Sequence, residues 1–374
     1  MVPNLRFSYK GDWSKTKLNE ICLFFKGNGL SKSDLSNEGF PCILYGELYT
    51  TYKNEVISDI ISKTNTTLSN PFLSRNNDLI IPGSGEDPID IAVARAIYQN
   101  DIILGGDLNI LRPKSNVSAA FLSYQLNGVR RYDIAKKAQG KSIVHLHNSD
   151  LKEVLVSIPS YDEQLHIVKL LTKIDEMIET QSKIIDTLSS QKKQIRNLIF
   201  KDIHKNANCC IQDYVIYEQP QKYIVHSTDY VSHGKDYTPV LTANQSFILG
   251  YTLEKDGIYK KGDCIIFDDF TNENKYVDFP FKVKSSALKI LQTKEGLMLK
   301  FFYEYLQFLN FESTDHKRHY LSEVAVTDIS VPNLKEQTFL CKIFTSFDNK
   351  LKNEKALLEK YRLQKQFLLN NLFI

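Results

Sequence analysis

Two stretches of 43 residues, Ile158 to Phe200 and Val331 to Phe373, align without a gap at an offset of 173. Ten positions are identical, among them Pro159/Pro332, Glu163/Glu336, Gln164/Gln337, Asp175/Asp348, Lys192/Lys365 and Phe200/Phe373. Beyond its proline, neither copy holds another Pro or any Gly, and a proline is at home in the first turn of a helix. Apolar residues recur in alternating steps of four and three. They are Ile167, Leu171, Ile174, Ile178, Ile185, Leu188, Ile195 and Ile199 in the first copy. In the second they are Leu340, Phe344, Phe347, Leu351, Leu358, Tyr361, Leu368 and Leu372. So long a stripe at heptad spacing needs a second helix to cover it. The spacing therefore predicts a coiled-coil pair, each helix about 57 Å long at ~1.5 Å per residue.

Each stripe is broken twice, at Gln181 and Lys192 in the first copy and at Glu354 and Lys365 in the second. If the helices run antiparallel, one register sets Lys192 against Glu354 and Gln181 against Lys365. Such residues either fix the register from a buried position or lean to the edge and sit in water. The chain then reads as a domain over 1–157, a spacer helix over 158–200, a domain over 201–330 and a spacer helix over 331–374. A duplicated module of this order has pseudo-twofold symmetry when its helices are antiparallel.

The domains read as α+β. Short strands are expected at Leu79–Ile81, Ile102–Leu104, Leu108–Leu111, Cys264–Phe267 and Ala287–Leu291. Helical stretches are expected near Pro88–Tyr98, Ala119–Leu126 and Leu297–Leu309. Asn77–Ile81 and Gly262–Ile266 echo one another, which extends the repeat weakly into the domains.

Composition excludes several classes. The 374 residues suffice for two domains, and 42% hydrophobic with 24% charged residues argues against disorder. The net charge of +3 neither demands nor excludes a nucleic-acid partner, so local patches matter more. None of the six cysteines forms a C-x-x-C pair or a zinc-spaced cluster, so no metal site is expected. No apolar stretch reaches the ~20 residues that cross a bilayer, and residues 1–10 hold no signal-peptide core. The expected setting is the cytoplasm, with free thiols and no membrane partner.

These residues resemble the specificity subunits of Type I restriction–modification systems. The repeated P-x-x-x-E-Q helix is similar to the family's conserved region. Lys17–Asp34, Tyr45–Tyr52 and Leu104–Lys114 resemble one class of its recognition domains, and Thr238–Tyr251, Gly262–Thr271 and Tyr276–Leu291 another. The resemblance implies two target-recognition domains that each read half of a split double-stranded DNA site. The helix pair, with Ile174, Ile178, Ile185, Leu188, Lys192, Phe347, Leu351, Glu354, Leu358 and Tyr361, would be the spacer and docking surface. Implied partners are two modification (methyltransferase) subunits and the restriction (motor-endonuclease) subunits. Implied cofactors lie outside this chain: S-adenosylmethionine in the methyltransferase, ATP and Mg in the restriction subunit.

Catalytic motifs are weak by comparison. Asp278-Phe279-Pro280-Phe281 approaches the turn with which adenine methyltransferases hold a flipped base, but has one Pro and reads better as strand and turn. Pro82-Gly83-Ser84-Gly85-Glu86 is a poor cofactor loop and a good turn. No G-x-x-x-x-G-K-[ST] is present, and the triplets Asp150-Leu151-Lys152 and Asp348-Asn349-Lys350 lack an acidic partner upstream. No catalytic residue is assigned. A methyltransferase with its own site and a protein-binding scaffold remain the alternatives; an orphan subunit serving another system's methyltransferase is a variant of the main reading.

Basic clusters supply the candidate DNA contacts. In the first domain these are Arg112, Lys114, Arg130, Arg131, Lys136, Lys137 and Lys141. In the second they are Lys260, Lys261, Lys275, Lys282, Lys284, Lys317, Arg318 and His319. Lysine and arginine neutralise phosphates, and arginine also reads base edges. Asn244 and Gln245 are suited to adenine and equally to capping a turn. Each single lysine is as well explained by a solvated face.

Overall fold

The structure, a computed structural model, describes residues 2–232, 236–242, 246–311 and 318–374. The chain divides into two compact units, Met1–Lys183 with Ala356–Ile374, and Ile184–Lys355. Both boundaries fall inside long helices. Each unit takes in a piece of both long helices beside its globular segment.

In the first unit five strands form one sheet. They are β1 (Cys22–Lys26), β2 (Val56–Ile57), β3 (Asp78–Pro82), β4 (Arg95–Ile97) and β5 (Leu108–Pro113), in the order β1-β5-β3-β4-β2. β3 is buried along its whole length, which is why it reads as a continuous apolar run. Successive side chains alternate between faces. Leu79, Ile81 and Leu111 join one cluster with Leu122 and Leu126, while Ile80, Leu108 and Ile110 join a separate one with Ile43 and Leu48. Helix α1 (Ala119–Asn127) starts where the Ser118 hydroxyl accepts the Phe121 N–H at 3.3 Å.

The helix expected over 88–98 is a correction. Only Pro88–Ile91 is helical, capped by Asp87; β4 then pairs antiparallel with β3 and parallel with β2. Alanine favours helix, but pairing on both sides satisfies the backbone and leaves Ala94, Ala96 and Ile97 fully buried.

Helix α2 (Tyr161–His204) leads into the second unit. There the sheet order is β6-β9-β7-β8, with β6 (Val215–Glu218), β7 (Cys264–Asp268), β8 (Asn274–Val277) and β9 (Leu288–Thr293). The same alternation recurs. Ile265, Phe267 and Leu291 pack with α3 (Leu299–Leu309), and Cys264, Ile266 and Ile290 join another cluster with Tyr259 and Phe281. Helix α4 (Leu334–Leu372) closes the chain.

Within each unit the two long helices meet head to tail. In the first, Ile167, Leu171 and Ile174 near the start of α2 cluster with Leu368 and Leu372 at the end of α4. In the second, Phe200 near the end of α2 clusters with Leu340, Cys341 and Phe344 at the start of α4. Every heptad position is buried or half-buried, Ile178, Ile185, Leu188, Phe347, Leu351, Leu358 and Tyr361 among them.

The register expected from the polar breaks is corrected. Lys192 bonds Asp348 at 2.6 Å and Glu304 at 2.8 Å rather than Glu354. Lys365 bonds Asp175 and Glu55, each at 2.6 Å, rather than Gln181. The repeated aspartates lie one residue past a heptad position, beside the head. Each lysine therefore meets an aspartate of the opposite helix together with a carboxylate from the head.

Candidate nucleic-acid interface

Each head is fixed to its helices by buried polar groups. The Gln164 side chain accepts the Ser118 N–H at 2.9 Å and donates to the carbonyls of Asn116 and Pro159. Gln337 repeats this, accepting the Met298 N–H at 2.7 Å and donating to Gly296 and Pro332 at 2.8 Å each. Both glutamines are fully buried. Each therefore ties the start of the head's helix to a long helix at the point where backbone groups lack helical partners.

Behind each glutamine lies an ion network. In the second unit the fully buried Glu304 takes Lys192, Lys300 at 3.3 Å and Arg196 through two bonds at 3.0 and 2.8 Å; Lys300 also reaches Asp348 at 2.5 Å. Burial pushes the Asp348 carboxyl up, but hydrogen bonds from Lys192 and Lys300 outweigh it and hold it below the ordinary aspartate range. In the first unit Lys365 serves two carboxylates, and Asp175 also accepts the Tyr124 hydroxyl at 2.6 Å. Here burial and the nearby Glu55 raise Asp175 despite Lys365. Sequence reasoning missed Glu55, Tyr124, Arg196, Lys300 and Glu304. The identity of Asp175/Asp348 and Lys192/Lys365 in the repeat was the available signal.

The candidate contacts divide by what already holds them. Arg112, Lys282 and His319 are withdrawn from the contact set. Arg112 makes two 2.8 Å bonds to the fully buried Asp78 and lies over Phe25. Lys282 is fully buried against Glu254. His319 is 3% exposed and bonds Glu323 at 3.0 Å. Arg112 and Lys282 are structural cations, because a phosphate cannot reach either without breaking its ion pair with Asp78 or Glu254, and His319 is too buried to present its ring to one. Lys114 donates to the Glu20 carbonyl, Arg130 to Asp133 and the Ile374 carbonyl, Arg131 to the Ile89 carbonyl, and Lys261 to Glu218.

The remaining cations are open. In the first unit Lys136 and Lys141 are exposed and Lys137 half-exposed. They flank a small antiparallel pair, Gln139–Gly140 with Val144–His145, which Ser84–Gly85 extends. In the second unit Lys260 and Lys284 are exposed and Lys275 half-exposed. None of these six has a side-chain hydrogen bond or ion pair among the described residues. Arg318 lies 5.7 Å over the Phe270 ring. Asn244, Gln245 and Lys317 lie outside the described residues. Lys32, Lys63 and Arg75 are also exposed. They went unread because single cations spread along a chain form no cluster.

The weaker motifs are absorbed into the fold. Pro82 to Gly85 is buried, and a Cβ on Gly83 would meet the Asp107 carbonyl oxygen at 2.7 Å, so the segment is closed by its neighbours. Asp150 caps the His147 N–H. Phe281 pairs with Tyr259 as a strand-and-turn element. No helix among the described residues is long and apolar enough to cross a membrane.

Residues 10–190 match the family model described as Type I restriction modification DNA specificity domain. The specificity subunit of the Type I restriction enzyme EcoR124I/EcoR124II of Escherichia coli is 48% identical over 122 residues, 31% of this chain and 30% of that protein. The chain spans less than two thirds of the length of the curated relatives it matches. In fold it resembles the Type I restriction–modification S subunit from M. genitalium, at a TM-score of 0.67, 18% identity and coverage of 100% and 99%. A chain from a structure of Type I R-M complex assembly and conformational transition gives 0.52 at 12% identity, with 98% of each chain covered. With its duplicated head-and-helix module, the chain is similar to Type I restriction–modification specificity subunits, by the family model over residues 10–190 and by fold over its whole length.

Proposed function

We propose that this chain is the sequence-reading, non-catalytic subunit of a Type I restriction–modification complex. It recognises a DNA target in two half-sites and directs adenine methylation and restriction by partner subunits. The observation that carries the reading is the duplication. One chain holds two heads on the same frame, each anchored by the same glutamine and the same aspartate–lysine pair, with different open cations. Two frames with unlike surfaces suit an asymmetric, split target. Lys136, Lys137 and Lys141 are the phosphate contacts of the first head, and Lys260, Lys275, Lys284 and Arg318 those of the second. Two modification subunits bring S-adenosylmethionine, and the restriction subunits bring ATP and Mg.

The test is methylation mapping followed by binding. Adenines methylated only in cells expressing this chain with its partner methyltransferase define the target. Binding to that target should weaken when one base pair is inserted between the half-sites. Replacing Lys136, Lys137 and Lys141 together by alanine should flatten the log K against log salt slope by about 0.9 for each phosphate no longer neutralised. Equal binding to targets of any spacing would refute the bipartite reading.

A further inference from the structure

The duplication makes one surface conspicuous. In the first unit the segment Val2–Trp13, which forms neither helix nor strand, lies along the start of α2 and the end of α4. Arg6 pairs with Glu163 through two bonds of 2.7 Å, and Trp13, 5% exposed, donates its indole N–H to the same carboxylate at 3.2 Å. Phe7 and Tyr9 pack on His166, with ring centres 6.1 and 5.6 Å away. The Leu5 N–H bonds the Asn371 carbonyl at 2.9 Å. Glu163 is left 1% exposed.

The equivalent place in the second unit is bare. Glu336, the counterpart of Glu163, is exposed, and its carboxylate has no partner among the described residues. Phe339, the counterpart of His166, is 64% exposed, and Leu198, the counterpart of Asn371, is 75% exposed. With Ile203, Pro332 and Lys335 they line a groove of about 940 Å³. The chain enters this head directly from α2, so no free segment precedes it to fill the groove as Val2–Trp13 fills the other.

We propose that this groove is a docking site for an extended segment of a partner protein, one that carries an arginine for Glu336 and an aromatic residue for Phe339 and Leu198. The inference stands on the internal duplication and needs no part of the target-reading proposal. The groove's other acid, Asp202, is paired with Lys205 at 3.0 Å, so two large apolar side chains beside the Glu336 carboxylate match the chemistry of the strap that covers the first groove. A second copy of the chain is the poorer occupant. Its own strap is held by the Arg6–Glu163 pair and the buried Trp13, which it would have to surrender.

The probe is a labelled peptide of the strap sequence, VPNLRFSYKGDW, titrated against the full chain by fluorescence anisotropy at low salt. Saturable binding at one site per chain is expected. Glu336→Gln and Phe339→Ser should each weaken it by about tenfold, and so should a peptide with Glu in place of its arginine. Both protein positions are exposed, so the variants should melt as the parent does. No saturable binding up to about 1 mM, or undiminished binding to the double variant, would overturn the proposal. A dimer of the intact chain that Glu336→Lys dissolves would also overturn it, by assigning the groove to a second copy.

Discussion

Consider Glu304→Gln. The carboxylate is fully buried and takes bonds from Lys192 at 2.8 Å, from Arg196 at 3.0 and 2.8 Å, and from Lys300 at 3.3 Å. Glutamine keeps the shape and one acceptor but removes the charge. Of three cations each less than a fifth exposed, Lys192 and Lys300 would keep Asp348 alone and Arg196 would lose both of its ionic bonds to Glu304. Removing one partner of a buried pair costs about 3–5 kcal/mol, because the remaining charges stay desolvated. The retained acceptor favours the lower end, about 3 kcal/mol. For a unit of this size that lowers melting by about 6–12 °C, at about 2–4 °C per kcal/mol. Calorimetry of the full chain reads it directly. A second arm isolates the cause: Lys192→Met should be costly in the parent and less so beside Glu304→Gln, with a coupling of about 1–3 kcal/mol. A melting shift under about 2 °C, or additivity within about 0.5 kcal/mol, would refute the claim that buried charge pairing holds this head to its helices.

Acidification should separate the units. Asp348 is held below the ordinary aspartate range, so its contribution is complete above that range and is lost as pH falls through its folded value. Asp175 is raised, so its protonation on the same descent favours the folded first unit. Hydrogen exchange from pH 6 to pH 3 should therefore show the second unit loosening first; simultaneous loosening would contradict the assignment. Gln337→Ala removes three hydrogen bonds of 2.7–2.8 Å from a fully buried site. Denaturant unfolding should report a loss of about 2–3 kcal/mol, against no change if water replaces the amide. Ile185→Asp puts an unpaired charge at a heptad position that is 9% exposed. It should cost about 3 kcal/mol or more in the same assay; an unaltered midpoint would mean the helix contact is dispensable there.

The helices were legible because their signal is periodic and uninterrupted. A stripe at heptad spacing has one physical solution, and its two copies reported each other. The strands at β3, β5 and β7 were legible as short apolar runs. β4 was not, since Ala92 to Ile97 favours helix locally and becomes a strand only through neighbours on both sides. The register was lost for a related reason. Heptad reading assigns a polar residue on the stripe to the facing helix, whereas Lys192 and Lys365 also turn to carboxylates from the heads, Glu304 and Glu55. Sequence clusters also overstated the open cations. Arg112 and Lys282 look like surface charge, and only their partners, the buried Asp78 and the half-buried Glu254, reveal otherwise.

The first unit draws residues 356–374 into a core with Trp13 and Phe121. On the ribosome that closing stretch emerges only after residues 184–355 have been made. Until then the aromatic cluster of Trp13 and Phe121 lacks the Leu368, Leu372 and Phe373 side chains that complete it. Arrest of translation anywhere in the second unit should thus yield an incomplete first head.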